Sequence, residues 1–485
     1  ENFSITDNDA VDITHLDTPM MQLAEIFLAW KSVDVDFETP DLIMIDNNVS
    51  GILGSNDFDP DRVRLVGYPF DGRDLQLADV EIAQAHPFNK DLKIPDARAG
   101  NEETSPFALL HLFHEKHGDY FNKPTKITDI ENTLGIPSGG FPRSKLHAME
   151  KRKIIDHDTL NQTITLKINV SDSWEYTKLF FREVCRKIFI DKNADSLLYP
   201  TKDENGKDTL RWMAPYDISF LIGVGTRMLI EECWKKNVLL IGIVKDSASQ
   251  YLKKHYLSVC KMENEYPELA KDYKFLPPTD RMLCEVLPYI DDTIASPWST
   301  IEFDSTFMLL NAQPDPALNS KLVAVSARGG VEKPSPWIRP ERLFLRSVAQ
   351  FYTQKMKNGK LLTGHSVFVD RLVHPMLDQN ASKLRVSGKR IGTVDVMLYR
   401  DNTVPNIGQQ ITLYLLDLLT KNHYPNVIGH PDPLHKADLG AKAIKDNIKR
   451  LLMSSEIKFR SDPLINTLRQ IRDRGGRTGR ENGPR

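Results

Sequence analysis

Apolar and polar residues follow helical and strand periods along most of this chain. Amphipathic patterns predict helices over residues 18–32, 172–190 and 217–236, because apolar positions recur there every three or four residues. Residues 238–244 are continuously apolar and rich in branched side chains, which is typical of a buried central strand. A helix that leads directly into a buried strand indicates an α/β layer.

Further elements are predicted on either side of this unit. Residues 41–54 are interpreted as an apolar strand that enters a turn, and the polar residues 89–104, which contain Gly and Pro, as a linker. The remaining predictions are a helical, proline-containing region over 263–300, strands over 303–310, 343–349 and 366–373, and helices over 408–421, 440–453 and 462–472.

Residues 105–170 have a pattern of their own. Helices are predicted over 105–117, 126–135 and 138–155, followed by a turn and an alternating strand over 163–168. Helix, short helix, Gly-bearing turn, basic helix and hairpin together resemble a winged helix-turn-helix. Its small core is expected to contain Ile127, Ile130, Leu134, Leu146, Met149 and Ile155.

Such a domain could bind DNA or dock on a protein, and the sequence leaves both open. The cations available to DNA phosphates are Arg143, Lys145, Lys151, Arg152 and Lys153. Gly139, Gly140 and Pro142 are unusual at the start of a recognition helix, and they favour the protein-docking alternative.

Composition restricts the class of protein more than its function. The 485 residues are 40% hydrophobic and 27% charged, which predicts a globular chain of two to four domains. The net charge of −3 argues neither for nor against nucleic acid, although residues 469–485 form a basic, glycine-rich end that we expect to be disordered. Four cysteines without a CxxC pair, no apolar run of membrane length and no signal pattern lead us to expect a soluble cytoplasmic protein.

Potential metal ligands are densest near the C-terminal end. Residues 430–438 hold two histidines and two aspartates beside prolines, namely His430, Asp432, His435 and Asp438. Hard and borderline ligands at this density suit a divalent cation. Asp46 ends the first predicted strand and is another candidate, although an aspartate before two asparagines is also a common turn former.

Four motifs resemble those of the NurA nuclease family, the HerA-associated nucleases that process DNA ends. In chain order they are Ile45-Asp46-Asn47-Asn48 after a strand, Lys245-Asp246-Ser247 after the buried strand, Thr279-Asp280-Arg281 at a helix start, and the run from Gly429 to Asp438. Their order and spacing agree with the family over roughly residues 40–60 and 172–455, so residues 105–170 look like an insertion. The chain departs from the family pattern at two places. Asp438 stands where the family has His, and Asn47-Asn48 follow Asp46 where the family has Gly-Ser.

The resemblance implies an α/β fold with an RNase H-like core of mixed β-sheet flanked by helices, and a small inserted winged helix-turn-helix-like domain. The corresponding division of the chain is 1–100 for the first part of the core, 105–170 for the insertion, 172–455 for the rest of the core, and 456–485 for a C-terminal helix and basic tail.

The resemblance also implies a DNA nuclease that depends on Mn²⁺ or Mg²⁺, forms a homodimer and works with a HerA-type hexameric ATPase in DNA repair or antiviral defence. Two ions held by carboxylates would neutralise phosphoryl oxygens and activate water. The implied metal ligands are Asp46, Glu183 (with Glu175 as a close rival), Asp195 and Asp438 (with His430 or His435 as substitutes). Asp46, Glu183, Asp195 and Lys245 are the implied catalytic residues.

DNA contacts are expected from Lys245 and Ser247 at the strand end, and from Arg143 and Lys145 in the insertion. Arg371 is a weaker candidate for a backbone contact. Two rival interpretations stay open: a non-catalytic adapter that binds DNA or a partner and has a decayed nuclease site, and a transcription regulator built around the winged helix.

Overall fold

The structure is a computed structural model. It describes residues 16–34, 38–55, 60–85, 106–191, 197–202, 208–245, 248–250, 252, 277, 279–291, 293–294, 297–304, 310–311, 323–324, 343–350, 352–355, 361–363, 366–378, 382–388, 392–398, 405–420 and 431–461.

The α-helices of these residues are α1 Asp17–Val33, α2 Val49–Ser55, α3 Leu77–Ala85, α4 Pro106–Glu115, α5 His117–Tyr120, α6 Ile127–Leu134, α7 Arg143–Lys151, α8 Val170–Phe189, α9 Pro215–Lys236, α10 Asp280–Ile290, α11 Ile407–Thr420 and α12 Asp432–Ser461. The strands are β1 Leu42–Ile45, β2 Pro69–Phe70, β3 Arg73–Asp74, β4 Thr125–Lys126, β5 Ile155–Asp158, β6 Thr163–Leu166, β7 Leu198–Lys202, β8 Asp208–Trp212, β9 Leu239–Val244, β10 Trp298–Ser299, β11 Phe303–Asp304, β12 Leu310–Asn311, β13 Val323–Ala324, β14 Phe344–Gln350, β15 Tyr352–Lys355, β16 Leu361–Thr363, β17 Val367–Leu372, β18 Ser382–Gly388 and β19 Gly392–Leu398.

A mixed eight-stranded sheet forms the centre of the fold. Its order is β1-β9-β17-β14-β11-β19-β18, and β10 pairs with β14. β1 and β9 run parallel, with Leu42 opposite Leu239 and Ile45 opposite Gly242. β17 is antiparallel to both β9 and β14. The predicted mixed sheet is confirmed, and its assignment as RNase H-like stays a prediction.

Helices cover both faces of this sheet, so the predicted α/β class is confirmed. On one face, Ile43, Ile45 and Leu240 join the core that includes apolar residues of α1 and α9. On the other face, Leu239, Ile241 and Ile243 pack with Leu416 of α11 and Leu434 of α12. A sheet buried on both sides explains why β9 is apolar at every position apart from Gly242.

The long core helix α9 begins and ends with residues suited to those positions. Pro215 occupies its first turn, where no hydrogen-bonded N–H is needed, and Asn237 ends it in the left-handed conformation. The buried carboxylate of Asp217 accepts hydrogen bonds from the backbone N–H groups of Arg64, Leu65 and Ala214. One side chain therefore joins the start of α9 to the turn at residues 64–65, which is distant in the sequence.

Asp217 should make stability depend on pH. Burial raises its pKa from 3.8 to about 6, and its three backbone hydrogen bonds work against this rise. Because the folded-state pKa is the higher one, protonation favours the folded state; this contribution is complete below 3.8 and lost as the pH rises through about 6. When the pH is lowered from 7 to 5, the unfolding free energy of the wild type should therefore rise by about 1.4 kcal/mol relative to that of Asp217→Asn. Denaturant unfolding of both proteins at the two pH values measures this gain, and a difference that is constant with pH would contradict it.

The residues predicted as an insertion form α4 to α7 and a three-stranded antiparallel sheet of order β4-β6-β5. Four of the six predicted core residues are buried, and Ile127 and Leu134 pack against the same cluster. That cluster also contains core residues of α8 and α9, so the insertion packs on the rest of the protein. The three predicted helices and the strand β6 follow the predicted order, whereas α5 and β4 were not predicted. The third helix is shorter than its predicted range 138–155, and residues 155–158 at its end form β5. The identification as a winged helix stays a prediction.

The glycines before α7 have a structural reason. Gly139 has a φ of +75°, and a Cβ at Gly140 would lie 2.7 Å from the Pro137 carbonyl oxygen. The buried carboxylate of Glu131 accepts from the N–H groups of Gly139 and Phe141 and so holds this turn. The unusual Gly-Gly pair thus serves the α6–α7 turn.

One cation of this region was assigned wrongly. Arg152 forms an ion pair with the buried carboxylate of Glu81 and lies 3.4 Å from Asp61 Oδ2. Its guanidinium joins the insertion to α3 and to the 3₁₀ helix Pro60–Arg62, which contains Asp61. The prediction that Arg152 is available to DNA phosphates is therefore wrong.

Several other expectations are corrected by the structure. The strand predicted over 41–54 ends at Ile45, and residues 49–55 form a helix. Residues 298–299, predicted as helical, form a strand. The helix predicted over 440–453 begins at Asp432 and continues past residue 455, the predicted domain limit. The predicted linker 89–104, the helix 462–472 and the tail 469–485 lie outside the described residues. In the part of the chain that the structure describes, no helix has the length and apolar character needed to cross a membrane.

Candidate functional site

Asp46 and Lys245 meet at one edge of the central sheet. Asp46 follows β1 directly, and Lys245 follows β9 directly. Because these strands are parallel, their carboxyl ends lie at the same edge, which is where α/β proteins commonly bind ligands. Lys245 Nζ donates a hydrogen bond of 2.8 Å to Asp46 Oδ2, and both side chains are partly exposed to solvent. The structure thus brings together two of the residues that the sequence predicts as functional.

Gly242 lets the loop after Asp46 pass close to β9. A Cβ at this position would lie 2.4 Å from the carbonyl oxygen of Asn47 and 3.2 Å from the backbone nitrogen of Val49. A backbone oxygen cannot move away from an added Cβ as easily as the end of a flexible side chain can. The glycine is therefore a condition for the observed position of residues 46–49.

Glu25 of α1 interacts electrostatically with Asp46. Although the residue is exposed, the pKa of Glu25 is raised, first by desolvation of the carboxyl group and second by the negative charge of Asp46. When both carboxylates are ionised, Glu25, Asp46 and Lys245 carry one net negative charge.

The first turn of α10 is fastened to the segment after β9. Thr279 caps the helix, and the N–H of Asp280 donates to the Ser249 carbonyl oxygen at 2.9 Å. Ser249 Oγ in turn donates to Asp280 Oδ2 at 3.2 Å, and Arg281 Nη1 donates to the Lys245 carbonyl oxygen at 3.3 Å. The Thr279-Asp280-Arg281 motif, to which the sequence assigns no chemistry, thus lies beside Lys245.

A buried ion pair lies under the same loop. Arg346 of β14 and Asp370 of β17 are almost completely buried, and Arg346 Nε lies 3.3 Å from Asp370 Oδ1. The Ser50 N–H donates to Asp370 Oδ2 at 2.6 Å, and Arg346 also donates to Ser50 Oγ. Burial raises the pKa of Asp370, while the positive charge of Arg346 and the hydrogen bonds from Ser50 oppose this rise.

The predicted acids on α8 form ion pairs within their own helix. Glu183 accepts from Arg186 at 3.0 and 3.1 Å and lies 3.7 Å from Lys187. The hydrogen bond from Arg186 is the main reason that the pKa of Glu183 is lowered. Its rival Glu175 is 2.7 Å from Lys178. The metal-binding role of either glutamate stays a prediction.

Asp438 lies in the second turn of α12. Its Oδ2 accepts from Lys442 Nζ at 2.6 Å. One turn earlier, Leu434 packs on the sheet face formed by Leu239 and Ile241, so the start of α12 lies against the strands that carry Asp46 and Lys245. The role of Asp438 as a metal ligand stays a prediction.

Three further predicted residues, Asp195, Ser247 and His430, lie outside the described residues. On α7, Arg143 is exposed, whereas Lys145 is partly buried and desolvation lowers its pKa.

The suggestion that Arg371 contacts DNA is wrong, because its guanidinium is fully buried between Glu302 and Asp378.

The donor chemistry of this edge suits a hard divalent cation, since Asp46 and Glu25 both supply carboxylate oxygens. Within the residues that the structure describes, no group of three or more His, Cys, Asp or Glu side chains is placed to hold a metal ion. Asp46 and Glu25 alone do not form such a group, and Lys245 already occupies one oxygen of Asp46.

Two residues of this edge were missed by sequence reasoning. Glu25 looks like an ordinary solvated helix residue, although its place inside Leu23-Ala24-Glu25-Ile26-Phe27 is a weak signal, because the neighbouring positions are mostly apolar. Arg281 belongs to a recognised motif, but its contact with the Lys245 carbonyl depends on how α10 packs.

Comparison with known proteins adds no relative: no protein-family model, no curated protein and no solved structure matches this chain.

Proposed function

We propose that this protein is a divalent-metal-dependent DNA nuclease whose site lies at the carboxyl ends of β1 and β9. The observation that carries the proposal is the 2.8 Å contact between Asp46 and Lys245, which lie 199 positions apart in the chain and at one sheet edge. The sequence resemblance to NurA nucleases assigns chemistry to both of these residues. Three of the four motifs behind that resemblance are in contact at this edge, and the fourth leads into α12, which packs on the same sheet.

The residues of this edge have distinct roles in the proposal. Bound Mn²⁺ or Mg²⁺ would supply charge neutralisation at the phosphoryl group and an activated water. Asp46 and Glu25 would hold the ion, with Asp195 and Asp438 as further proposed ligands. Lys245 would donate to a phosphate oxygen of the DNA once it leaves Asp46.

The proposal extends to partners through the same resemblance. We propose a homodimer that receives DNA from a HerA-type hexameric ATPase, in DNA repair or antiviral defence. The insertion would contact DNA through Arg143 and Lys145, or a protein partner, as a winged-helix domain. The nuclease core would be RNase H-like.

The test is degradation of linear DNA with Mn²⁺ or Mg²⁺, with and without a HerA-type ATPase. Asp46→Asn should lower the rate at least about 100-fold, the size of effect seen when one electrostatic group is removed from an active site. Asp41→Asn is a matched control, because Asp41 is exposed and precedes the same strand at its opposite end. Asp41→Asn should retain the wild-type rate. Wild-type protein that degrades no DNA with either metal would contradict the proposal.

A second candidate is a non-catalytic adapter, and one observation favours it. Lys245 neutralises Asp46, and a third metal-binding side chain is absent among the described residues. An adapter should bind the DNA or the ATPase with equal affinity in wild type and Asp46→Asn, and should degrade nothing. Fluorescence anisotropy with labelled DNA, run beside the degradation assay, separates the two functions.

A further inference from the structure

The residues beside Gly242 in the sheet form a row with a gap. In the strand register Ile45 lies opposite Gly242, Gly242 opposite Asp370, and Asp370 opposite Arg346. Directly paired residues of a sheet point to the same face. Across that face lie, in order, the apolar side chain of Ile45, the gap at Gly242, the carboxylate of Asp370 and the guanidinium of Arg346.

The loop after Asp46 fills this gap. The carbonyl oxygen of Asn47 lies over Gly242, and Val49 and Ser50 are completely buried. Ser50 is the contact point with the ion pair, because its N–H and its hydroxyl are bonded to Asp370 and Arg346 respectively. Asn48 Oδ1 accepts from Ser50 Oγ at 2.7 Å and closes the turn.

A contribution to stability does not explain why this ion pair is buried here. Removing two charges from water is expensive, and a buried pair such as Arg346–Asp370 often stabilises a protein no better than apolar residues of similar size. A guanidinium and a carboxylate do, however, impose direction on the groups that bind them. Here the group that they fix is Ser50, four positions after Asp46.

We propose that Asp370 and Arg346 are positioning residues that hold the Asp46–Ser50 loop, and thereby the Asp46 carboxylate, in place beside Lys245. Ile45 is fixed by the ladder with β9, and Ser50 is fixed by the ion pair, so Asp46 lies between two anchored points. Asp370 and Arg346 are almost completely buried, so they act on the site through Ser50. The importance of the position rests on the proposed function, whereas the position itself can be tested separately.

The test uses the chemical reactivity of Lys245 in the full-length protein. Acetylation by an N-hydroxysuccinimide ester is timed by mass spectrometry, with the exposed Lys235 as an internal reference. Asp46→Ala gives the rate for an unpaired Lys245. Asp370→Asn should move the Lys245 rate toward that value, about twofold to fivefold above wild type, since a partly exposed ion pair contributes up to roughly 1 kcal/mol. Ser50→Ala should give a smaller rise of the same sign.

A matched control exists elsewhere in the protein. Asp79 is also fully buried, pairs with an arginine (Arg73), and accepts from a backbone N–H (Gln76) and a serine hydroxyl (Ser173). Asp79→Asn should destabilise the protein in a similar way and leave the Lys245 rate unchanged. The proposal is overturned if Asp79→Asn raises that rate as much as Asp370→Asn does, or if folded Asp370→Asn protein shows the wild-type rate.

Two further outcomes are informative. If Asp370→Asn does not fold, Ser50→Ala decides: an unchanged Lys245 rate in folded Ser50→Ala protein overturns the positioning role. If the rates change as expected but wild-type protein cleaves no DNA, the positioning role stands and the proposed nuclease function falls.

Discussion

Replacing Arg371 with leucine should lower the free energy of unfolding by about 3–5 kcal/mol, which is the usual effect of removing one partner from a buried charge network. Arg371 is completely buried in β17 and donates to both oxygens of Glu302 and both oxygens of Asp378. Asn406, which caps α11 through its side-chain oxygen, also donates to Glu302. Leucine would leave two carboxylates buried without their cation.

Urea unfolding monitored by circular dichroism measures this loss. Lys235→Met is the control, because Lys235 is largely exposed and 3.4 Å from Glu232, and such a pair contributes at most about 1 kcal/mol. Glu302→Gln and Asp378→Asn, added to Arg371→Leu, should recover part of the loss, since the unpaired charges cause it. A loss below about 1 kcal/mol for Arg371→Leu alone would show that water reaches this network.

The Arg371 network and the Arg346–Asp370 pair use consecutive residues of one strand. Successive side chains of a strand point to opposite faces, so Asp370 reaches the loop after β1, whereas Arg371 reaches the start of α11. A Cβ at Gly408 of α11 would lie 2.5 Å from Arg371 Nη1, which shows how closely this helix approaches the guanidinium. β17 therefore contacts the loop after Asp46 on one face and the covering helix α11 on the other.

The elements that the sequence predicts well are those with a strong local signal. The amphipathic patterns of α8 and α9 predict their bounds to within two residues. The capping Asn169 and the first-turn Pro215 mark the true starts, which the predicted ranges place two residues late. β9 is an uninterrupted apolar run. The pairing of β1 with β9 could not be predicted, because no local feature states which strand lies next to which.

The hairpin β18–β19 was missed although its sequence carried a signal. Leu384 and Val386 alternate with polar residues, as do Val394 and Val396, and Gly388 and Gly392 pair at its end. Alternation bounded by glycines predicts a hairpin. The local sequence therefore contains enough information to predict this hairpin.

The ionic residues of the site are a different case. Asp370 and Arg371 lie in a predicted strand, where charged residues are normally placed at a solvent-exposed face. Their burial depends on Arg346 and Glu302 from other parts of the chain, and on Asp378 in the segment after β17. The pKa of Glu25 is likewise raised, first by desolvation and second by the charge of Asp46, which lies in another part of the chain. Such roles follow from tertiary contacts that one sequence does not contain.

Gly242→Ala should damage both the stability of the protein and its candidate site. The new methyl group would lie 2.4 Å from the Asn47 carbonyl oxygen, so the loop or β9 must move. Overpacking of this kind in a filled core usually costs about 1–3 kcal/mol. The loop should give way, since β9 is paired on both sides, and the movement should separate Asp46 from Lys245.

Two measurements distinguish this effect from a general loss of stability. Urea unfolding should show the expected decrease for Gly242→Ala, and Lys245 acetylation in folded protein should be faster than in wild type. Gly440→Ala on α12 is the control, because a Cβ there meets no atom within 4 Å. It should stabilise the protein by about 0.4–1 kcal/mol, since alanine is favoured over glycine within a helix. Equal stability changes in the two variants would mean that the close approach of Asn47 to β9 is absent in solution, and with it the reason for a glycine at position 242.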